Sequence, residues 1–201
     1  MTSDTKILHD KDIREPLFEF LEETYGKIRI LEEKRSGRAV ADVVMITPGL
    51  LYGIEIKSDA DTYTRLDKQV KNYNWYFDRN IIVAGSSHAH HVSEHVPAWW
   101  GIITVEPDGE GRPDFYILRR PGENPRVNDK RKISILWRPE LSHLLEINHL
   151  PGYREKSKAF VQEKLLEKVA PETLWPQVCA ELLERDYTTI ADEIAAYRRK
   201  K

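Results

Sequence analysis

The chain has 201 residues and a formal net charge of −2, with 40% hydrophobic and 32% charged residues. That length allows one sizeable core plus an appendage, the composition excludes a disordered chain, and the charge balance neither selects nor excludes nucleic acid as a partner. A single cysteine, Cys179, excludes an internal disulfide; with no membrane-length apolar run and no leader pattern, the expectation is a cytoplasmic protein with no membrane partner.

Residues 12–25 read as a first helix. Asp12 caps it, Glu15 completes a capping box, and Ile13, Leu17, Phe20, Leu21 and Tyr25 form its buried stripe. Gly26 ends it. Residues 27–33 make a first strand, and Ser36-Gly37 turns the chain. From Asp42 to Lys57 two apolar arms flank Thr47-Pro48-Gly49, which is a β-hairpin signal. Asp61 then caps a second helix, about 62–79, in which Tyr63, Leu66, Val70, Tyr73 and Phe77 recur at helical spacing.

Residues 80–84 (NIIVA) form a continuous apolar run, the mark of a buried parallel strand. His88, His91 and His95 could share one helical face. Without the flanking ligands of a zinc motif, they read as a solvated short helix. Trp99 and Trp100 read as core packing, leading into a strand at 101–105, a turn at 106–114 and an edge strand at 115–118. Arg119, Arg120, Arg126, Lys130, Arg131, Lys132 and Arg138 then crowd into the most basic stretch of the chain, with Pro121, Gly122 and Pro125. Such a segment neutralises phosphates without reading sequence. From 139 onward the pattern is helical: one helix from Pro139, a break at Leu150-Pro151-Gly152, a second from Lys156, and a third from Pro176 to Arg199. The first two resemble a SAP-type DNA-binding helical hairpin, with Lys156 and Lys158 at the start of its second helix. The helical region has three open uses: covering the core, binding DNA, or pairing with a second copy as a homodimer.

The chemistry sits in the hairpin. Strand side chains alternate, so Gly53, Glu55 and Lys57 share one face and Tyr52, Ile54 and Ile56 the other. Pairing of the arms brings Asp42 beside Glu55, giving two carboxylates and an ammonium on one apolar sheet. Two such acids repel, and a hard divalent cation relieves them. Mg²⁺ or Mn²⁺ is the expected cofactor, with phosphodiester chemistry the expected use. Lys57 stands where it could orient a water or steady developing negative charge.

Asp42…Glu55-Ile56-Lys57 resembles the signature of the PD-(D/E)XK, restriction-endonuclease-like nuclease superfamily, with Ala41 where the family's name has proline. The likeness extends to a small, mostly uncharacterised bacterial and phage family of that superfamily. It is carried by Asp12-Ile13-Arg14, Glu55-Ile56-Lys57-Ser58-Asp59 with Asp61-Thr62, Arg65-Leu66 and Gln69, Phe77-Asp78, and Val96-Pro97 with Trp99-Trp100-Gly101, covering the first half of the chain. The resemblance implies an α/β fold: an αβββαβ core, a mixed sheet flanked by helices, with a C-terminal helical region. It implies metal held by Asp42, Glu55 and the backbone carbonyl of Ile56, and catalysis by Asp42, Glu55, Lys57 and Gln69, the glutamine holding a phosphate or the attacking water. A helical acid such as Glu19 or Glu22 joins the metal in some such nucleases; here the four acids of the first helix read as a solvated face.

The expected organisation is a nuclease-like core at 1–120, a basic linker at 121–138 and a helical region at 139–201. The expected function is metal-dependent hydrolysis of nucleic acid, DNA favoured, by an endonuclease. Nucleic-acid contacts are expected from Arg126, Lys130, Arg131, Lys132, Lys156 and Lys158. The alternative is a non-cutting module of the same fold that binds nucleic acid or a protein partner.

Overall fold

The computed structural model describes residues 7–32 and 41–186. The first helix, α1 (Asp10–Tyr25), begins two residues before the expected start. Asp12 therefore sits in the first turn, where its carboxylate accepts the His9 N–H at 3.0 Å. Strands β1 (Arg29–Glu32), β2 (Val43–Thr47) and β3 (Leu50–Lys57) follow as an antiparallel meander. The β2–β3 turn works because Gly49 takes φ 99°, which a side chain disfavours.

A 3₁₀ turn at Tyr63–Arg65 leads into α2 (Leu66–Tyr76), shorter than the sequence pattern suggests. Asp61 does not cap this helix. Its carboxylate instead accepts the backbone N–H and hydroxyl of Ser58, closing the preceding loop. The crossover returns the chain to β4 (Arg79–Gly85), parallel to β3. The short α3 (Val92–His95) precedes β5 (Gly101–Pro107), parallel to β4, and β6 (Pro113–Arg119) closes the sheet antiparallel to β5. The result is a mixed six-stranded sheet in the order β1-β2-β3-β4-β5-β6, flanked by helices. His88, His91 and His95 do not line one helix; α3 spans a single turn, and the rings of His88 and His95 pack on Tyr63.

The strand alternation decides which residues meet which helix. Val43, Met45, Ile54, Ile56, Ile81 and Val83 pack in one cluster with Ile13, Leu17 and Leu21 of α1. The opposite cluster joins Val44, Ile46, Leu51 and Ile82 to Leu66, Val70, Tyr73 and Phe77 of α2. Gly53 lies on that second face, where a Cβ would stand 2.7 Å from Tyr73 Cδ1, so the absence of a side chain lets α2 press onto β3.

The segment 121–138 is not a solvated linker. Asn124 is buried and its amide donates to the carbonyls of Asn74 and Phe77 at 2.9 and 2.7 Å. After α4 (Asp129–Lys132), Ile133 and Leu136 enter the α2-side core. So do Leu141, Leu144 and Leu145 of α5 (Arg138–Ile147), Val161 and Leu165 of α6 (Lys158–Lys168), and Val178 and Leu182 of α7 (Pro171–Leu183). One apolar cluster thus runs from β2 to α7, and the expected boundary between core and helical region falls inside it. Helix α7 starts at Pro171, the proline occupying the first turn, whereas the expected starter Pro176 lies within the helix. Helix α7 also ends at Leu183, short of the expected end at Arg199, and residues 184–186 are not helical; the rest of that expected helix and the turn at Ser36-Gly37 lie outside the described residues. No helix among the described residues is long and apolar enough to cross a membrane.

Candidate functional site

Glu55 is the third residue from the end of β3, on the face that α2 covers, and it is 1% exposed. A carboxylate that far from water must be met by donors. Lys57, two residues along the same strand face, reaches Glu55 Oε1 at 2.7 Å. Gln69 and Tyr73 stand one helical turn apart on α2, so both point at the same acid. The Gln69 amide donates to Oε1 at 2.5 Å and the Tyr73 hydroxyl donates to Oε2 at 2.6 Å.

Asp42 immediately precedes β2. Val43 pairs with Ile54, so continuing that register sets Asp42 opposite Glu55. Its Oδ2 accepts the Ile56 N–H at 3.1 Å, and its own N–H donates to the Tyr73 hydroxyl at 2.9 Å. On the outer side, Arg14 of α1 donates to the Asp42 carbonyl at 3.4 Å while pairing with Asp10 at 2.7 Å.

The four predicted catalytic residues, Asp42, Glu55, Lys57 and Gln69, therefore converge, and Ile56 is tied to Asp42 through its amide. Burial, then the negative charge of Asp42, pushes the Glu55 carboxyl up to about 7, although Lys57 and Tyr73 pull it down. A group in that state is ready to ionise when a cation arrives. The second atom of the Gln69 amide, Oε1, is buried without a hydrogen-bond partner among the described residues. Two carboxylates and an orphaned amide oxygen are hard donors, and they suit Mg²⁺ or Mn²⁺ better than a soft metal. Among the described residues no three His, Cys, Asp or Glu side chains group as a metal cluster. The acids of the site thus number two, which suffices for an ion that keeps waters and takes oxygens from its substrate.

The other acids around the hairpin lie elsewhere, and those of the first helix form the solvated face expected of them. Glu19 and Glu22 are exposed on α1, across the sheet from Glu55. Glu32 faces Arg14 at 3.7 Å. Asp59 accepts the N–H and hydroxyl of Ser87, joining the loops after β3 and β4. Of the expected nucleic-acid contacts, Lys132 is corrected outright. It is 2% exposed, paired with Asp78 at 2.6 Å and set 4.0 Å from the Trp175 ring centroid. Lys158 is half-buried and donates to the Ser134 carbonyl at 2.9 Å. Arg126, Lys130, Arg131 and Lys156 are exposed, Lys130 lying 3.4 Å from Glu163.

Sequence reasoning missed the second role of Tyr73, which it placed only in the apolar stripe. The signal was present: a buried tyrosine, unlike a phenylalanine, has a hydroxyl to satisfy. Arg14 was legible only as part of a motif, because its reach to Asp42 spans 28 residues.

No solved structure matches this chain. A curated relative, Protein cII of Enterobacteria phage P4, is 30% identical over 100 residues, which take in 50% of this chain and 38% of that protein. The chain thus spans well under half the length of that relative. The family model described as Bacteriophage P4 protein cII matches residues 8–201, and by that match the chain belongs to the phage P4 cII protein family.

Proposed function

We propose that this protein is a Mg²⁺- or Mn²⁺-dependent phosphodiesterase acting on nucleic acid, with DNA the favoured substrate, built on a restriction-endonuclease-like core. The order α1-β1-β2-β3-α2-β4, with an antiparallel meander followed by a parallel crossover, is consistent with the αβββαβ arrangement of that core. The observation that carries the reading is Glu55: a carboxylate buried beside a second one, with an ammonium and an amide already aimed at it.

Asp42 and Glu55, with the Ile56 carbonyl, would hold the ion. When bound, it would supply charge neutralisation at the phosphodiester and acidify water. Lys57 holds its ammonium against Glu55, from where it can orient the attacking water; only after giving up a proton, as the neutral amine, could it take one from that water. The free Oε1 of Gln69 can accept a hydrogen bond from that water. Tyr73 fixes both acids, donating to one side chain and accepting the backbone N–H of the other.

A test uses single-stranded, duplex and branched DNA with Mg²⁺ or Mn²⁺. Wild type cuts at least one of them, Glu55→Ala and Asp42→Ala cut none, and Lys57→Ala loses about 10²- to 10⁴-fold. Equal inertness of wild type and Glu55→Ala rejects the enzyme. A non-cutting module is the second reading, and one observation favours it: both Glu55 oxygens already accept hydrogen bonds. In that case saturating Mn²⁺ leaves the melting temperature unchanged, whereas a metal site is stabilised by mass action.

A further inference from the structure

We propose that the solvent face of α2, ending at Trp75, is a track for single-stranded nucleic acid. The inference rests on the reading above that nucleic acid is the ligand, and it adds where the strand lies and in which form. Leu66, Val70 and Tyr73 turn the buried side of α2 to the sheet. The helical period then sends Lys68, Lys71 and Trp75 outward, with Arg65 just before the helix and Asn72 between them. Arg65, Lys68 and Lys71 are exposed, and none has an ion-pair partner within 4.0 Å among the described residues.

Trp75 is 46% exposed, although an indole is costly to leave in water. It is held in place. Its carbonyl accepts the Asn128 N–H at 3.0 Å, and the Arg131 guanidinium stands 5.7 Å from its ring centroid while approaching the Tyr76 hydroxyl at 3.4 Å. An anchored, exposed indole in line with exposed cations has the parts of a stacking platform: the cations follow phosphates and the ring takes a base face. On these two segments, α2 with its lead-in and α4, the exposed acids Asp67 and Asp129 are outnumbered by the exposed cations Arg65, Lys68, Lys71, Lys130 and Arg131. A duplex keeps its base faces stacked inside, so the indole selects the single-stranded form.

The track begins at the site. Arg65 and Asn72 lie four residues before and three after Gln69, on the same flank of the helix. From Arg65 to Trp75 the helical rise is about 15 Å. A strand following the cations therefore runs from the carboxylates toward Trp75.

The test is fluorescence anisotropy of labelled single-stranded and duplex oligonucleotides with the full chain in EDTA, where no cutting intervenes. The single strand is expected to bind more tightly. Trp75→Ala should weaken it by about 5- to 150-fold, the loss of one stacked base, while Trp75→Phe keeps most of the affinity. Lys68→Ala with Lys71→Ala should lower the salt slope by about 1.4. Thermal melts check that each variant is folded. Single-strand affinity that ignores Trp75→Ala, or a preference for duplex, overturns the proposal. Cleavage is assayed separately with Mg²⁺ or Mn²⁺. Trp75-dependent binding by a chain that never cuts would uphold the track and reject the nuclease.

Discussion

At the scale of single residues, Glu55 links stability to pH. Its carboxyl titrates near 7 in the folded chain against 4.5 for the free group, because burial and Asp42 disfavour the charge. A raised carboxyl stabilises the fold fully below its unfolded value, and that contribution is lost as pH climbs through 4.5 to 7. The loss is about 3 kcal/mol. In chelator, wild type should therefore lose melting temperature between pH 5 and pH 8 relative to Glu55→Gln, which carries no charge to bury. The gap should widen by several degrees by pH 8, and Mn²⁺ should close it for wild type alone. Parallel melting curves for the two proteins across that range would mean that the acid is solvated or permanently paired. Tyr73 gives a second prediction at this scale. Tyr73→Phe keeps the ring among Phe77 and Trp100 but strips the hydroxyl from both acids. It should cost about 1 to 3 kcal/mol in denaturant unfolding and, under the proposed nuclease activity, more in cleavage, since Asp42 loses a fixed anchor.

At the scale of elements, the seam between β3 and α2 carries the site. Gly53 makes the seam possible, since a methyl group there would meet Tyr73 Cδ1 and Phe77 Cε2 at 2.7 Å. Gly53→Ala should push α2 outward and destabilise the chain by about 1 to 3 kcal/mol. Because Gln69 and Tyr73 ride on that helix, the cleavage proposed above should fall further than stability alone explains. An unfolding curve matching wild type would show that α2 is not pressed on the strand. This seam was half legible in sequence. The two-residue period of β3 put Gly53, Glu55 and Lys57 on one face, and the 3.6-residue period of α2 put Leu66, Val70, Tyr73 and Phe77 on another. Which face met which was not legible, because neither period states how a crossover lands. Helix ends were read less well: Asp12 and Asp61 both look like caps, but one is inside the first turn and the other closes a loop. A short acid beside free N–H groups has the same sequence appearance in either place.

At the scale of the whole molecule, the basic segment shows why charge runs mislead. Lys130, Arg131 and Lys132 are consecutive and look equivalent, yet the third turns inward. Its ammonium meets Asp78, whose other oxygen accepts the Leu51 N–H at 2.9 Å at the start of β3. Asp78 also accepts, through its carbonyl, the Asn124 N–H at 3.0 Å. The segment is thus bolted to the root of the strand that carries Glu55. A similar bolt stands further along, where Arg185 pairs with the buried Glu140 at 2.6 Å and lies 4.4 Å from the Trp137 ring centroid. Local composition could not reveal either bolt, since the partner of Lys132 is 54 residues away. The consequence is that the helices after β6 are part of the fold that holds the site. A chain ending at residue 120 would lose α7 from the β2–β3 surface and open the part of the cluster around Val44, Ile46 and Leu51 that α2 does not cover. It should be soluble only as an expanded or aggregated species, without the cooperative melt of the full chain. Lys132→Ala in the full chain should cost about 3 kcal/mol, because the half-buried Asp78 is left charged without its cation. Pairing it with Asp78→Asn should recover part of that loss. A residue 1–120 fragment that melts cooperatively, together with a Lys132→Ala variant as stable as wild type, would restore the linker reading and cut the helices away from the site.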